Sequence, residues 1–223
     1  MNGSAKHWTR IDFGVHDALA AEGGAFDLAT SVLALHTIND LPGALIQIRH
    51  ALKPDGLFMA ALFGGDTLRE VRDVFASGEE EIRGGTSPRV SPFADVRDLG
   101  ALLQRAGFAL PVADSERTTI RYRTFDRLIS DLRSAGETNV LMQRSRKPLR
   151  RDVLAASLSH YAHKYAEADG RLRATFEIVY LTGWAPHESQ QKALRPGSAR
   201  ARLADVLGSS EQSAGDSTPV RRN

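Results

Sequence analysis

Apolar residues recur along this chain in two different rhythms, and the change from one to the other marks out its middle. Phe26-Asp27-Leu28-Ala29-Thr30-Ser31-Val32-Leu33 is an apolar run of strand length, the kind that is covered on both faces of a sheet. Leu41, Leu45, Ile48 and Leu52 then return at three- and four-residue steps, which is one face of a helix. Asn39 and Asp40 offer capping oxygens ahead of that helix. Pro42 stands in its first turn, where a missing N–H costs nothing. Lys53-Pro54-Asp55-Gly56 stops it, and Leu57 to Phe63 is a second buried-strand pattern. Strand, helix, tight turn and strand predict a βαβ unit with parallel strands and a right-handed crossover. Its predicted core is Leu28, Val32, Leu45, Ile48, Leu52, Phe58 and Leu62.

Further along, Asp66 can cap a helix running to about Phe75, followed by a polar stretch from Ser77 to Pro92. Asp95 caps another helix, with Val96, Leu99, Leu102 and Leu103 on one face and Gly107 at its end. Thr118 to Tyr122 reads as a strand. Phe125 to Ala135 and Asp152 to Ala166 read as helices on either side of the basic linker Arg144 to Arg151. Ala174 to Trp184, rich in β-branched and aromatic residues, is the last strand. Residues 1–25 show no sustained period, and the polar composition of 208–223 predicts a disordered tail. The domain is thus expected over 26–207, with a helical insertion at about 124–168.

Composition changes this picture only at its margins. Of the 223 residues, 42% are hydrophobic and 25% charged, which places the chain among ordinary globular proteins. Residues 1–110 carry 10 Lys/Arg against 14 Asp/Glu and residues 111–223 carry 19 against 13, an excess too mild to imply nucleic-acid binding. The absence of cysteine excludes disulfides and thiolate chemistry, and no apolar run approaches bilayer length. A cytoplasmic protein with no membrane span is the expectation.

The residues also carry a family likeness. FDLATSVLALHTINDLPGALIQIRHALKPDGLF resembles the fourth strand, following helix and fifth strand of class I S-adenosylmethionine (SAM)-dependent methyltransferases of the ubiquinone and biotin pathways. AALFGGDTLREVR, SPRVSPFADVRDLGALLQRAGFALPVAD and FEIVYLTGWAPHESQQKALRPGSARARL resemble one subgroup of them. These are the bacterial relatives of the mitochondrial complex I assembly factor 5, a methyltransferase-like protein associated with arginine hydroxylation. The resemblance implies an α/β fold, a partial Rossmann-like methyltransferase sheet from the fourth strand onward with added helices. It also implies SAM as cofactor, with Leu33 and His36 beside it, and a complex I subunit as protein partner or substrate. Such domains open with a strand and a glycine-rich turn, and an acidic residue then holds the ribose. Only 25 residues precede Phe26, and Gly3, Gly14, Gly23 and Gly24 are not arranged as such a turn, so SAM binding by this chain is expected to fail.

Two rival functions remain: methyl transfer, which is mainly a positioning problem, and a non-catalytic or hydroxylase-type assembly role. The segment after the last strand offers Trp184, His187, Lys192 and Arg195 as partner-binding residues, since aromatic and arginine side chains anchor interfaces. No metal site is expected. His160 and His163 share a helix face without an obvious third ligand, and none of the seven histidines begins a His-x-Asp or His-x-Glu pair. No serine stands in a hydrolase-like arrangement, and the catalytic residues stay unassigned.

Overall fold

The computed structural model describes residues 9–12, 19–140, 144, 147–191 and 208. The chain divides into a unit of residues 1–188 and a second of 189–223; of the latter only residues 189–191 and 208 are described. Lys192 and Arg195 lie outside the described residues.

The first unit holds β1 (Phe26–Val32), α1 (Leu41–Ala51), β2 (Leu52–Phe63), α2 (Arg69–Arg83), α3 (Val96–Arg105), β3 (Ala109–Tyr122), α4 (Phe125–Ser134), α5 (Arg151–Tyr165) and β4 (Leu172–Trp184). The four strands form one sheet in the order β1-β2-β4-β3. β1 and β2 are parallel, with Val32 opposite Ala61, as the βαβ pattern predicts. β4 runs antiparallel to both β2 and β3.

Asp40 caps α1 by accepting from Gly43 N at 2.9 Å, and Asp95 caps α3 by accepting from Arg97 N and Asp98 N. These two helices lie on one face of the sheet. Leu45 and Ile48 from α1 and Leu99 and Leu103 from α3 meet Phe58 and Leu62 of β2 and Val179 and Leu181 of β4. Phe58 and Phe108 stack at 5.2 Å inside this core. A second core joins Val71, Val74 and Phe75 of α2 to Leu128 of α4 and Tyr161 of α5, over Tyr122 and Ala174. Burial raises the pKa of the Tyr161 phenol, which stays a donor, to the carbonyl of Arg173 at 2.8 Å.

Five of the seven predicted core residues are buried, and two are not. Leu28 is 37% exposed and Val32 74%. An all-apolar run implies cover on both faces, but β1 is an edge strand, and only Phe26 and Ala29 turn toward the helical layer. The helix expected to begin at Asp66 and end near Phe75 instead starts at Arg69 and reaches Arg83. Tertiary contacts extend it: a Cβ added at Gly78 would stand 2.8 Å from the backbone nitrogen of Ser157, so glycine lets α2 lie directly on α5. Asp66 is not a cap, because its carboxylate is taken by Arg117 at 2.9 Å. The strand expected at Thr118–Tyr122 is the end of a fourteen-residue β3.

Candidate functional site

Where β1 and β2 end, the chain turns toward the helices inserted between β3 and β4. Leu33 leaves β1 in the left-handed region (φ 48°) and still donates its N–H to Ala61 at 2.7 Å. The next residues make a single helical turn, Leu35–Thr37, pinned by Leu35 in the core and by Thr37 Oγ1 donating to Ala34 O at 2.8 Å. The turn directs His36 inward, where its side chain is only 3% exposed. Its ring lies 4.9 Å from Phe63, the last residue of β2, and 5.7 Å from Phe93.

The partner of His36 comes from 101 residues away: Nε2 meets Glu137 Oε2 at 3.0 Å. Local sequence places that carboxylate. α4 ends at Gly136 (φ 80°), whose N–H reaches Arg133 O at 3.1 Å while Glu137 N reaches Leu132 O at 2.8 Å. This paired closure after a left-handed glycine swings Glu137 off the helix end toward the strands. An ionised carboxylate can only accept, so Nε2 is the donor in this contact. Nδ1 has no hydrogen-bond partner among the described residues.

A second set of contacts fixes the segments that roof this site. Asn139 donates to Pro88 O at 3.1 Å and accepts from Ser91 Oγ at 3.3 Å, joining the chain after α4 to the loop after α2. That loop is anchored by Glu79, fully buried in α2, which accepts from Ser87 Oγ and from Arg89 Nε at 2.8 Å. Burial pushes the Glu79 carboxyl up, but the hydrogen bonds from Ser87 and Arg89 outweigh it and hold the group below its ordinary range. Asp73, on the outer side of α2, is similarly lowered: burial raises it less than the bonds from Lys164 and Tyr165 lower it.

Between strand ends and roof lies a cavity of about 310 Å³, a size suited to a small organic group. Phe63, Phe93, Phe176, Val71, Leu132 and Leu149 wall it, and its polar lining includes His36, Glu137, Arg133 and Arg89, the last paired with Glu79. Aromatic faces beside a carboxylate suit a flat or cationic group. The sequence singles out His36 but not Glu137, for which the Ala135-Gly136-Glu137 helix stop is the available signal.

The other singled-out residues lie elsewhere. Leu33 stands at the strand mouth, 38% exposed. Trp184, the last residue of β4, pairs with Leu57, the sixth residue of β2, about 20 Å from Phe63 at ~3.3 Å per residue. Ala185 is clamped to that end by bonds with Gly56 O and from Asp55 N, and His187 follows, exposed. The structure therefore brings His36 near Leu33 in the chain but keeps both apart from Trp184 and His187. His160 is paired with Glu81 at 2.8 Å, and no cluster of three or more metal-ligating side chains occurs among the described residues. No helix among the described residues is long and apolar enough to cross a membrane.

A strand-mouth pocket on an α/β sheet is the class of site a methyltransferase domain defines. Residues 4–111, just under half of the chain, match the family described as methyltransferase domain. It is 43% identical over 190 residues to the mitochondrial arginine-hydroxylase NDUFAF5 of Dictyostelium discoideum, covering 85% of this chain and 43% of that one. It is 34% identical to the malonyl-(acyl-carrier protein) O-methyltransferase of Gallionella capsiferriformans, over 76% of this chain and 56% of that one. The chain thus spans about half the length of the curated relatives it matches. Among solved structures, the YcgJ protein of Bacillus subtilis shares the fold at a TM-score of 0.51 with 14% identity, covering 78% of this chain and 70% of that one.

The family implies SAM, whose polar half needs backbone N–H groups at a glycine turn and a carboxylate for its ribose. Among the described residues, the turn between a strand end and a helix start that carries glycines is Gly64-Gly65, between β2 and α2. It is already filled. Glu177 Oε2 lies 2.6 Å from where a Gly64 Cβ would sit and accepts from Asp66 N at 2.9 Å, while Gly64 N donates to Glu177 O. Leu33 offers an apolar shelf, but His36 is turned away into the cavity and committed to Glu137. The described residues do not fit the cofactor.

Proposed function

We propose that this methyltransferase-family chain acts on a protein partner, with the His36–Glu137 cavity receiving an arginine side chain, and that by itself it does not hold SAM. One observation carries the reading: a carboxylate set into a chamber of aromatic rings. Glu137 Oε2 faces His36, which leaves Oε1 for a ligand. A guanidinium matches that arrangement, because it binds a carboxylate through its forked N–H groups and stacks on aromatic faces. The arginine in the relative's name supports this choice of side chain. Trp184 and His187, at the far end of the sheet, belong in this reading to a separate docking surface. The partner is a protein of respiratory complex I, as the resemblance implies, and the compartment is the cytoplasm. A non-catalytic assembly role uses the same pocket, since holding an arginine requires no bond to be broken.

The test is calorimetric titration of the full chain with an arginine-bearing peptide and with the same peptide carrying citrulline, the uncharged analogue. Saturable binding of the arginine form is expected. Glu137→Gln is expected to weaken it roughly tenfold, since a hydrogen bond to a charged group contributes ~1.5 kcal/mol or more. Equal affinity for the citrulline peptide would sink the assignment.

A further inference from the structure

The helix end that delivers Glu137 to the cavity delivers a cation as well. Arg133, in the last turn of α4, lines the same space and is exposed, which puts its guanidinium at the mouth. The two charges do not pair with each other, because Glu137 is turned to His36 at 3.0 Å. Arg89, the other guanidinium in the lining, is answered within the chain by the buried Glu79. Arg127, earlier on α4, is likewise paired, with Asp131 at 3.3 Å.

A second part of the lining comes from a basic segment. Leu149 enters the wall from residues 147–151, which Arg89 ties to the cavity by donating to Lys147 O at 3.4 Å. Lys147, Arg150 and Arg151 are all exposed there, and Arg150 is paired with Asp152 at 3.0 Å. The cavity thus holds a carboxylate inside and carries cations at its mouth.

That layout discriminates between ligands. A bare arginine side chain passes a like charge on its way to Glu137, which opposes binding. A carboxylate beside the arginine reverses the sign, since it meets Arg133 while the guanidinium meets Glu137. Guanidinium–carboxylate contacts are charge-assisted and set orientation as well as strength. We infer that the cavity selects an arginine flanked by acidic residues, with Arg133 as the residue that determines this specificity. The inference rests on the arginine reading of the cavity.

Calorimetric titration of the full chain with three peptides that differ only at a central triplet separates the two. The triplets are Asp-Arg-Asp, Asn-Arg-Asn and Asp-citrulline-Asp. Arginine against citrulline reports on the cavity, and aspartate against asparagine reports on Arg133. At low ionic strength Asp-Arg-Asp is expected to bind about threefold more tightly than Asn-Arg-Asn, as an exposed ion pair allows. The preference should shrink as salt rises. Arg133→Gln is expected to bring the two peptides toward equal affinity, and Arg133→Glu to favour Asn-Arg-Asn. Arginine preferred over citrulline, with the aspartate and asparagine peptides equal, overturns the flank selection and leaves the cavity reading standing. An aspartate preference unchanged in both variants also overturns it, because the acid is then met elsewhere. Citrulline accepted as well as arginine, or no binding of any peptide, removes the cavity reading and the selection with it.

Discussion

Leu45→Ala is expected to destabilise the protein by about 2–5 kcal/mol, the range for removing a fully buried leucine from a packed core. Leu45 is 0% exposed on α1 and belongs to the cluster that includes Phe58 and Leu62 of β2, Leu99 of α3, and Val179 and Leu181 of β4. A cavity at Leu45 opens against both helices and the sheet at once, so little can collapse into it. Chemical denaturation of wild type and variant measures the difference directly. Two comparisons set the scale: Ile46→Ala, at a position 39% exposed, and Val32→Ala, at one 74% exposed, should each change stability far less. A Val32→Ala effect as large as that of Leu45→Ala would mean that β1 is covered on its outer face.

Glu79→Gln is expected to cost about 3 kcal/mol, the lower end of the range for breaking a buried charge pair by removing one partner. Glu79 is fully buried, while Arg89 keeps 16% exposure and a 3.4 Å bond to Lys147 O, which softens the loss. The effect should depend on pH. The folded-state pKa of Glu79 lies below its ordinary value of 4.5, so its contribution is fully present above about pH 4.5 and is lost as pH falls through the folded value. The melting temperatures of wild type and Glu79→Gln should therefore converge in acid. A gap that stays constant down to the acid limit would show that the carboxylate is not what anchors the loop from Ser87 to Arg89. Because that loop carries Phe93 toward His36, the variant should also weaken ligand binding in the cavity.

The sequence made the central βαβ unit legible because α1 and β2 meet their partners locally. Leu45 and Ile48 lie at helical spacing on a helix whose cap is written beside it, although β2 begins at Leu52, directly after α1, and includes Lys53 to Gly56 where a turn was expected. Where contacts come from far along the chain, the pattern was silent. α2 runs past the polar residues Ser77 to Glu81 because Gly78 rests on Ser157 and Glu79 is held by Ser87 and Arg89, and none of this shows in periodicity. β1 read as doubly covered because apolar content reports what a strand is suited to, not which faces its neighbours reach. His36 was placed correctly at the strand mouth, but its carboxylate partner is 101 residues away. The cavity is assembled from the strand ends, the loop after α2 and the end of α4, so no single window of sequence contains it.

The central claim is that the described residues form a ligand cavity at the mouth of a methyltransferase-type sheet and, among themselves, offer no cradle for the cofactor's polar half. Isothermal titration of the full chain with SAM, and with its demethylated product, tests that claim most directly. The account predicts no saturable heat with either compound, because the Gly64-Gly65 turn is occupied by Glu177 and His36 is committed to Glu137. Saturable binding of SAM with a low-micromolar dissociation constant would contradict it.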